Sequence, residues 1–334
     1  MKIIVDDKIP YIRDAVAAIA DEAVYLPGAA ITAADVRDAD ALIVRTRTRC
    51  DEALLGGSRV RFVATATIGH DHLDTGYLDR AGIAWTNCPG CNAASVAQYV
   101  RSSLLLIARD FGLCLRAATI GVVGCGHVGS LVAAAARELG MRVLVCDPPL
   151  GRPGFVSLDV LEREADVITF HVPLTTAGPH ATYHLADSAF FGRLRRRPFI
   201  INSSRGAVVD CVALGAALDG GSVRQAVIDT WEGEPAIDRR LLDKVYIGTP
   251  HIAGYSADGK VNADNMSIAA LCRFFGLTPP PKILPPPLPA DFVYTGDPLQ
   301  LYNPLTDSAA LKASPESFER LRGDYPLRRE VGPF

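Results

Sequence analysis

Three charged side chains stand where short apolar runs end. Arg205 follows Phe199-Ile200-Ile201 and the polar Asn202-Ser203-Ser204, Glu234 follows "AVIDTWEG", and His251 follows "VYIGTP". In an open parallel α/β sheet the carboxyl ends of the strands line the ligand crevice. Singly, each residue has a bland explanation: a surface ion pair, a loop carboxylate, a satisfied histidine. Jointly they suit the oxidation of an alcohol. A histidine that titrates near neutrality takes the hydroxyl proton. A carboxylate orients the imidazole and stabilises its cation, and the two-pronged guanidinium grips a carboxylate. Gly206, next to Arg205, lets backbone approach closely. The expectation is a 2-hydroxy acid anchored at Arg205, with His251 as base and Glu234 as its partner.

Such an oxidation needs a hydride acceptor, and a second pattern supplies its seat. Gly124-Cys125-Gly126-His127-Val128-Gly129 reads G-x-G-x-x-G. That pattern alone is weak. Here it follows the apolar run "TIGVV", opens the helical "SLVAAAARELG" and precedes a second strand ending at Asp147, which completes a dinucleotide fingerprint. The glycines allow a tight turn and close approach to a pyrophosphate, and the helix N-terminus favours negative charge. Asp147 is spaced to accept from the adenosine ribose and to repel a 2′-phosphate, so the expected cofactor is NAD.

These residues must be positioned by a large soluble chain. At 334 residues it exceeds one ordinary domain. The runs "KIIVD", "ALIVR", "RFVATAT" and "IAWTN" alternate with helical stretches. After the helical "NAASVAQYVRSSLLLIARD" a second series follows: "TIGVVG", "RVLVCD", "DVITFH", "PFIINSS", "QAVIDT" and "VYIGTP". Alternation of this kind predicts parallel α/β units, the second a doubly wound nucleotide-binding domain. From Tyr255 the chain turns helical and is expected to return to the first domain. The boundaries expected are 1–91 with 255–278 for a catalytic domain, 92–254 for the NAD domain, and 279–334 for a linker and tail. "TPPPKILPPPLP" reads as a stiff polyproline-type connector, with a recognition ligand as the sharper alternative. The tail is too short and polar for its own core, so it should pack on the body or on a second subunit, making a homodimer, either as a structural clasp or with one of Arg322, Arg328 and Arg329 reaching the phosphate end of the neighbouring site.

At the level of the family, "GCGHVG…D", "NSSRGAVVD", "DTWEGEP" and "TPHIAGYS" resemble the D-isomer-specific 2-hydroxyacid dehydrogenases. The resemblance implies catalytic roles for Arg205, Glu234 and His251, and a flavodoxin-like catalytic domain split by an inserted Rossmann-type NAD domain. It further implies that Asp229 lies near the nicotinamide carboxamide and that Gly254 approaches NAD. A narrower set, including "ATATIGHDHLD", "CPGCNAASVAQYV", "HIAGYSADGK" and "LRGDYPLRRE", resembles a branch acting on a small phosphorylated 2-hydroxy acid. It spans most of the chain and implies substrate contacts at Thr46, Thr67 and Tyr255. Val172 in "HVPL" departs from the threonine common in that branch, so only a backbone contact to NAD carries over. Open alternatives are another D-2-hydroxyacid dehydrogenase, of 3-phosphoglycerate or glyoxylate type, and an NAD-sensing co-repressor-like protein.

Arg45-Thr46-Arg47-Thr48-Arg49 closes the run "ALIV". If extended, its arginines share one face; Arg45 is a candidate phosphate ligand against a structural ion pair, and Arg47 and Arg49 read as solvated. His70-Asp71-His72 with Asp74 has metal-ligand residue types, yet the family pattern puts it in a loop without metal. Cys88-Pro89-Gly90-Cys91 has redox spacing, but a turn entering a helix capped at Asn92 explains it. Arg193-Leu194-Arg195-Arg196-Arg197 reads as a solvated helix end. The net charge of -3 argues against a nucleic-acid partner. No apolar run reaches membrane-span length, and "MKIIVDDKIP" lacks a secretory apolar region. Eight scattered cysteines suit reduced thiols in a cytoplasm.

Overall fold

The computed structural model describes residues 1–330, so the last four positions of the expected 279–334 segment lie outside the described residues. The chain divides into two units, Met1–Asn92 with Ser256–Phe292, and Ala93–Tyr255 with Val293–Phe334. The expected boundary at 278 differs most: the proline segment as far as Phe292 groups with the first unit, and the tail with the second.

In the first unit β1 (Lys2–Asp6), β2 (Glu22–Leu26), β3 (Ala41–Val44), β4 (Phe62–Thr65) and β5 (Ala84–Thr86) form one sheet. Its order is β2-β1-β3-β4-β5 and every pairing is parallel, the flavodoxin-like arrangement. All four residues of β3 and of β4 are buried, as continuous apolar runs require of strands covered on both faces. The helix Ala257–Phe275 returns to this sheet, with Ile268 and Leu271 packing among Ile3, Val5, Ile43 and Phe62. It ends where Gly276 adopts the left-handed φ of +69°, a conformation cheap only for glycine. The proline segment has few N–H donors. One it keeps, on Ile283, donates to Asn265 Oδ1 (2.9 Å) while Asn265 Nδ2 donates to the Ile283 carbonyl (3.0 Å), tying the extended segment to the helix.

In the second unit β6 (Thr119–Val123), β7 (Arg142–Cys146), β8 (Val167–Phe170), β9 (Phe199–Asn202), β10 (Gln225–Ile228) and β11 (Ile247–Gly248) pair in parallel. The order β11-β10-β9-β8-β6-β7 places β6 between β7 and β8, which is the switch point of a doubly wound sheet. A third strand beyond β7, usual in dinucleotide folds, is replaced by irregular chain whose Val156 N–H donates to the Val145 carbonyl (2.8 Å). The tail completes this unit. Its helix Pro304–Ala313 covers the short edge strand β11, where the Gly248 N–H donates to Ser308 Oγ at 3.0 Å. Leu311 and Phe318 are fully buried beside Leu241 and Leu242.

Candidate active site

The glycine loop behaves as its residue types require. Gly124 has φ +87°, and a Cβ there would lie 2.5 Å from the His171 carbonyl oxygen and 2.7 Å from Val172 Cγ1. A Cβ on Gly129 would stand 1.9 Å from the Gly124 carbonyl oxygen, so only glycine lets the helix pack on β6. Gly126 faces open space within 4 Å, leaving room for a ligand. It caps the helix His127–Glu138 without a side-chain hydrogen bond, so the first-turn N–H groups are free to meet an anion. Asp147, beyond β7, accepts from the Cys125 N–H (2.7 Å) and the Leu150 N–H (3.1 Å) and so stitches the two strand ends together. A carboxylate accepts about four hydrogen bonds, so two remain for a ribose diol. These residues fit a dinucleotide.

The three charged residues come from the ends of β9, β10 and β11. His251 Nδ1 lies 2.8 Å from Glu234 Oε2, while Glu234 Oε1 accepts from the Trp231 N–H at 2.8 Å. Burial raises the affinity of Glu234 for a proton. The hydrogen bond and charge of His251, and the charge of Arg322, outweigh burial and hold Glu234 below the usual carboxylate range. His251 sits at φ +57°, a strained position for a non-glycine residue, as at many active sites. Its loop is locked by Asp229, which is almost wholly buried. Asp229 Oδ1 accepts from Thr249 Oγ1 (2.6 Å) and the Ile252 N–H (2.8 Å), and Oδ2 from the Ala253 N–H (3.0 Å). Asp229 therefore positions the histidine loop, with acceptor capacity left on Oδ2. Arg205 is half-buried, with Nη1 donating to the Ser204 carbonyl (2.8 Å). Its neighbour Gly206 could not be any other residue, since a Cβ would meet the Trp231 carbonyl oxygen at 2.0 Å. Gly254 and Tyr255 continue the His251 loop, both half-buried.

In the first unit, Arg45 follows β3 and donates from Nη1 to the Lys8 carbonyl (2.8 Å). The arginine run does not stay extended. A turn follows Arg45, leaving Thr46 and Arg47 exposed, burying Thr48 against the Gly28 carbonyl and pairing Arg49 with Asp51. Thr67 donates to the Gly69 carbonyl (2.8 Å) and lies 2.7 Å from Thr65 Oγ1, which also meets His72 Nε2 at 2.9 Å. Asp74 caps the helix Thr75–Arg80 and His70 packs against Trp85, so the histidines and aspartates of "HDHLD" serve separate ends. Cys88 is buried and its thiol pushed up to about 11 by that burial, against the lowered pKa of a redox thiol.

Sequence reasoning missed one group. His184 Nε2 meets Glu232 Oε1 at 2.7 Å and its Nδ1 lies 3.6 Å from Asp210 Oδ2. The trio braces the Arg205 loop, because the His184 N–H donates to the Ala207 carbonyl at 2.7 Å. The three are far apart in sequence and carry no local pattern. Of the tail arginines that the sequence offers for the phosphate end, Arg322 lies beside the His251 loop, its Nε donating to Tyr255 Oη at 3.0 Å.

Known proteins resemble this chain over its whole length. Residues 94–253 match the NAD binding domain of the D-isomer specific 2-hydroxyacid dehydrogenases. The chain is 54% identical, over its whole length and 98% of the relative's, to erythronate-4-phosphate dehydrogenase of Bacteroides fragilis. The chain belongs to the erythronate-4-phosphate dehydrogenase family. Relatives of that name in Bacteroides thetaiotaomicron and Azotobacter vinelandii are 55% and 46% identical over 99% of this chain and 97% and 93% of theirs. Among solved structures, NAD-bound 3-phosphoglycerate dehydrogenase of Entamoeba histolytica shares the fold, with a TM-score of 0.70 at 24% identity over 83% of this chain and 95% of that one. D-lactate dehydrogenase of Aquifex aeolicus, complexed with NAD and lactic acid, gives 0.67 at 24% identity over 83% and 96%. As a member of the erythronate-4-phosphate dehydrogenase family, the protein is an NAD-dependent 2-hydroxyacid dehydrogenase.

Proposed function

We propose that the protein oxidises C2 of 4-phospho-D-erythronate with NAD, giving (R)-3-hydroxy-2-oxo-4-phosphooxybutanoate, in the biosynthesis of pyridoxal 5′-phosphate. The observation that carries this reading is identity of 54% over the full chain to a relative with that name. Arg205 holds the substrate carboxylate. The hydrogen bond from His251 Nδ1 to Glu234 leaves the Nε2 lone pair to take the C2 hydroxyl proton, and the ionised Glu234 stabilises the imidazolium. Bound NAD supplies the acceptor for the C2 hydride. Gly124, Gly126, His127, Val128 and Gly129 would cradle its pyrophosphate, Asp147 its ribose and Asp229 its nicotinamide carboxamide, with Gly254 and the backbone of Val172 also approaching NAD. The same reading assigns Arg45, Thr46, Thr67 and Tyr255 to substrate contacts.

A panel of 2-hydroxy acids with NAD, scored by nicotinamide absorbance, tests it. The phosphorylated erythronate should be turned over with the highest kcat/KM. A preference for 3-phosphoglycerate, or for the reverse reduction of glyoxylate, would replace the substrate; no turnover of any acid would favour an NAD-sensing protein. We place the enzyme in the cytoplasm as a homodimer. Its eight cysteines are thiols and not disulfides, which supports a reducing compartment. Leu284 and Val293, 79% and 74% exposed, supply apolar surface for a second subunit to cover. Sedimentation of the purified protein tests the dimer.

A further inference from the structure

Arg322 closes the tail helix Phe318–Gly323 and points back to the loop that carries His251. Its Nε donates to Tyr255 Oη at 3.0 Å, and its guanidinium carbon lies 5.7 Å from the centre of the Tyr255 ring. Tyr325, three residues on, packs edge-on against that ring at 5.9 Å. The tail thus holds the Tyr255 ring at two points, and Tyr255 in turn anchors the guanidinium through its hydroxyl. A guanidinium presents five N–H donors, and only the Nε donor is used here. Among the described residues neither Nη nitrogen makes a hydrogen bond, and no carboxylate lies within 4.0 Å of the group. Glu234 and Glu319 act on it only at longer range, and with Tyr255 they offset its burial. The side chain is nevertheless half-buried, an expensive setting for a cation with an unanswered fork. The fork has the planar geometry that matches two oxygens of a phosphate or carboxylate.

We propose that Arg322 grips the phosphate end of the substrate, with Tyr255 holding the guanidinium in place. The inference rests on the substrate reading above, in which the acid has two anionic ends and Arg205 takes the carboxylate. It makes the C-terminal tail part of the binding site of its own chain. A dianionic phosphate lets the second cation add both affinity and selectivity, because an unphosphorylated acid leaves the fork unanswered.

The test uses the full-length protein loaded with NAD. Inorganic phosphate binding is measured by calorimetry, and the KM and kcat for 4-phospho-D-erythronate are measured in wild type, Arg322→Gln and Arg322→Lys. NAD affinity and melting temperature report folding. Arg322→Gln should weaken phosphate binding and raise KM by about tenfold or more, the value of one lost charge-assisted hydrogen bond, with a smaller change in kcat. Arg322→Lys should recover part of both, since it restores the charge without the fork. Should Arg322→Gln fold poorly, Arg322→Lys alone decides, by the ratio of its KM change to its kcat change. Unchanged phosphate affinity and KM, or a fall in kcat alone, would overturn the proposal and leave Arg322 as a support for Tyr255 and Glu234. An equal loss of inhibition by oxalate, which has no phosphate, would reassign Arg322 to the carboxylate. Failure of the wild type to oxidise 4-phospho-D-erythronate would sink the substrate reading instead. The calorimetric phosphate result needs no turnover, so it still decides whether Arg322 is an anion grip.

Discussion

At the scale of single residues the chemistry depends on a few hydrogen bonds with distinct functions. Arg205 keeps one nitrogen on the Ser204 carbonyl, which fixes the rest of its fork for a ligand. Arg205→Ala should lower kcat/KM at least about a hundredfold, because two charge-assisted hydrogen bonds of roughly 1.5–3 kcal/mol each are lost. NAD affinity, read by fluorescence titration, should persist; near-normal kcat/KM would remove Arg205 from substrate binding. Glu234 stays ionised through neutral pH because burial, the largest single influence, is outweighed by the hydrogen bond and charge of His251 together with the Trp231 N–H and the charge of Arg322. Glu234→Gln replaces that negative charge by a neutral acceptor, so protonating the imidazole becomes harder. The acid limb of the pH profile for kcat/KM in the oxidation direction should therefore shift to lower pH, with a reduced plateau. An unmoved limb with full activity would detach Glu234 from the histidine.

At the scale of elements, the helix Ala257–Phe275 packs an apolar face on the first sheet and yet buries a carboxyl. Asp264 is 1% exposed and its Oδ2 has no hydrogen-bond partner. Burial pushes its pKa up to about 8 despite the opposing charges of Arg45 and Lys260. The folded chain then keeps this proton up to about pH 8, whereas an unfolded aspartate releases it at about pH 4. The stability linked to it is complete below the unfolded value and drains as pH rises to the folded one, by up to about 1.4 kcal/mol per pH unit. Asp264→Asn should flatten the fall of unfolding free energy between those limits, measured by urea titration at several pH values. A slope equal to that of wild type would show that Asp264 is ionised in the fold.

At the scale of the whole molecule, the tail belongs to the core of the second unit. Arg328 is 4% exposed and donates to Gln98 Oε1 (2.8 Å) and to the carbonyls of Ser95 (2.6 Å), Ile252 (3.3 Å) and Ala253 (3.2 Å), with its guanidinium 3.6 Å from the centre of the Tyr302 ring. It clamps the start of the helix Ala93–Phe111 to the loop just after His251. Arg328→Ala strands several buried acceptors and should cost about 3 kcal/mol or more of unfolding free energy. A melting temperature equal to that of wild type would show that water replaces the clamp. Truncation before Pro279 does more than detach an appendage, since it removes Leu311 and Phe318 from the core and Ser308 from the edge strand.

The sequence alone determined the parts of this protein that rest on local rules. The glycine fingerprint and the strand ends at Asn202, Ile228 and Gly248 are each written within a few neighbours, because period and turn chemistry act over one or two turns. That locality also made Arg205, Glu234 and His251 legible as charges at strand ends. Tertiary structure alone decided what depends on distant residues meeting. The brace of His184, Asp210 and Glu232, the lock of Asp229 on the histidine loop, and the partners of Arg322 and Arg328 pair positions with no common periodicity. The turn that breaks the arginine run after Arg45 is set by Thr48, buried against Gly28 twenty residues earlier. The tail illustrates the limit most clearly: composition marked it as too polar for a core of its own. Only burial against β11 and its neighbours turns Leu311, Phe318 and Arg328 into core residues, because burial is a property of the folded surface and not of the segment.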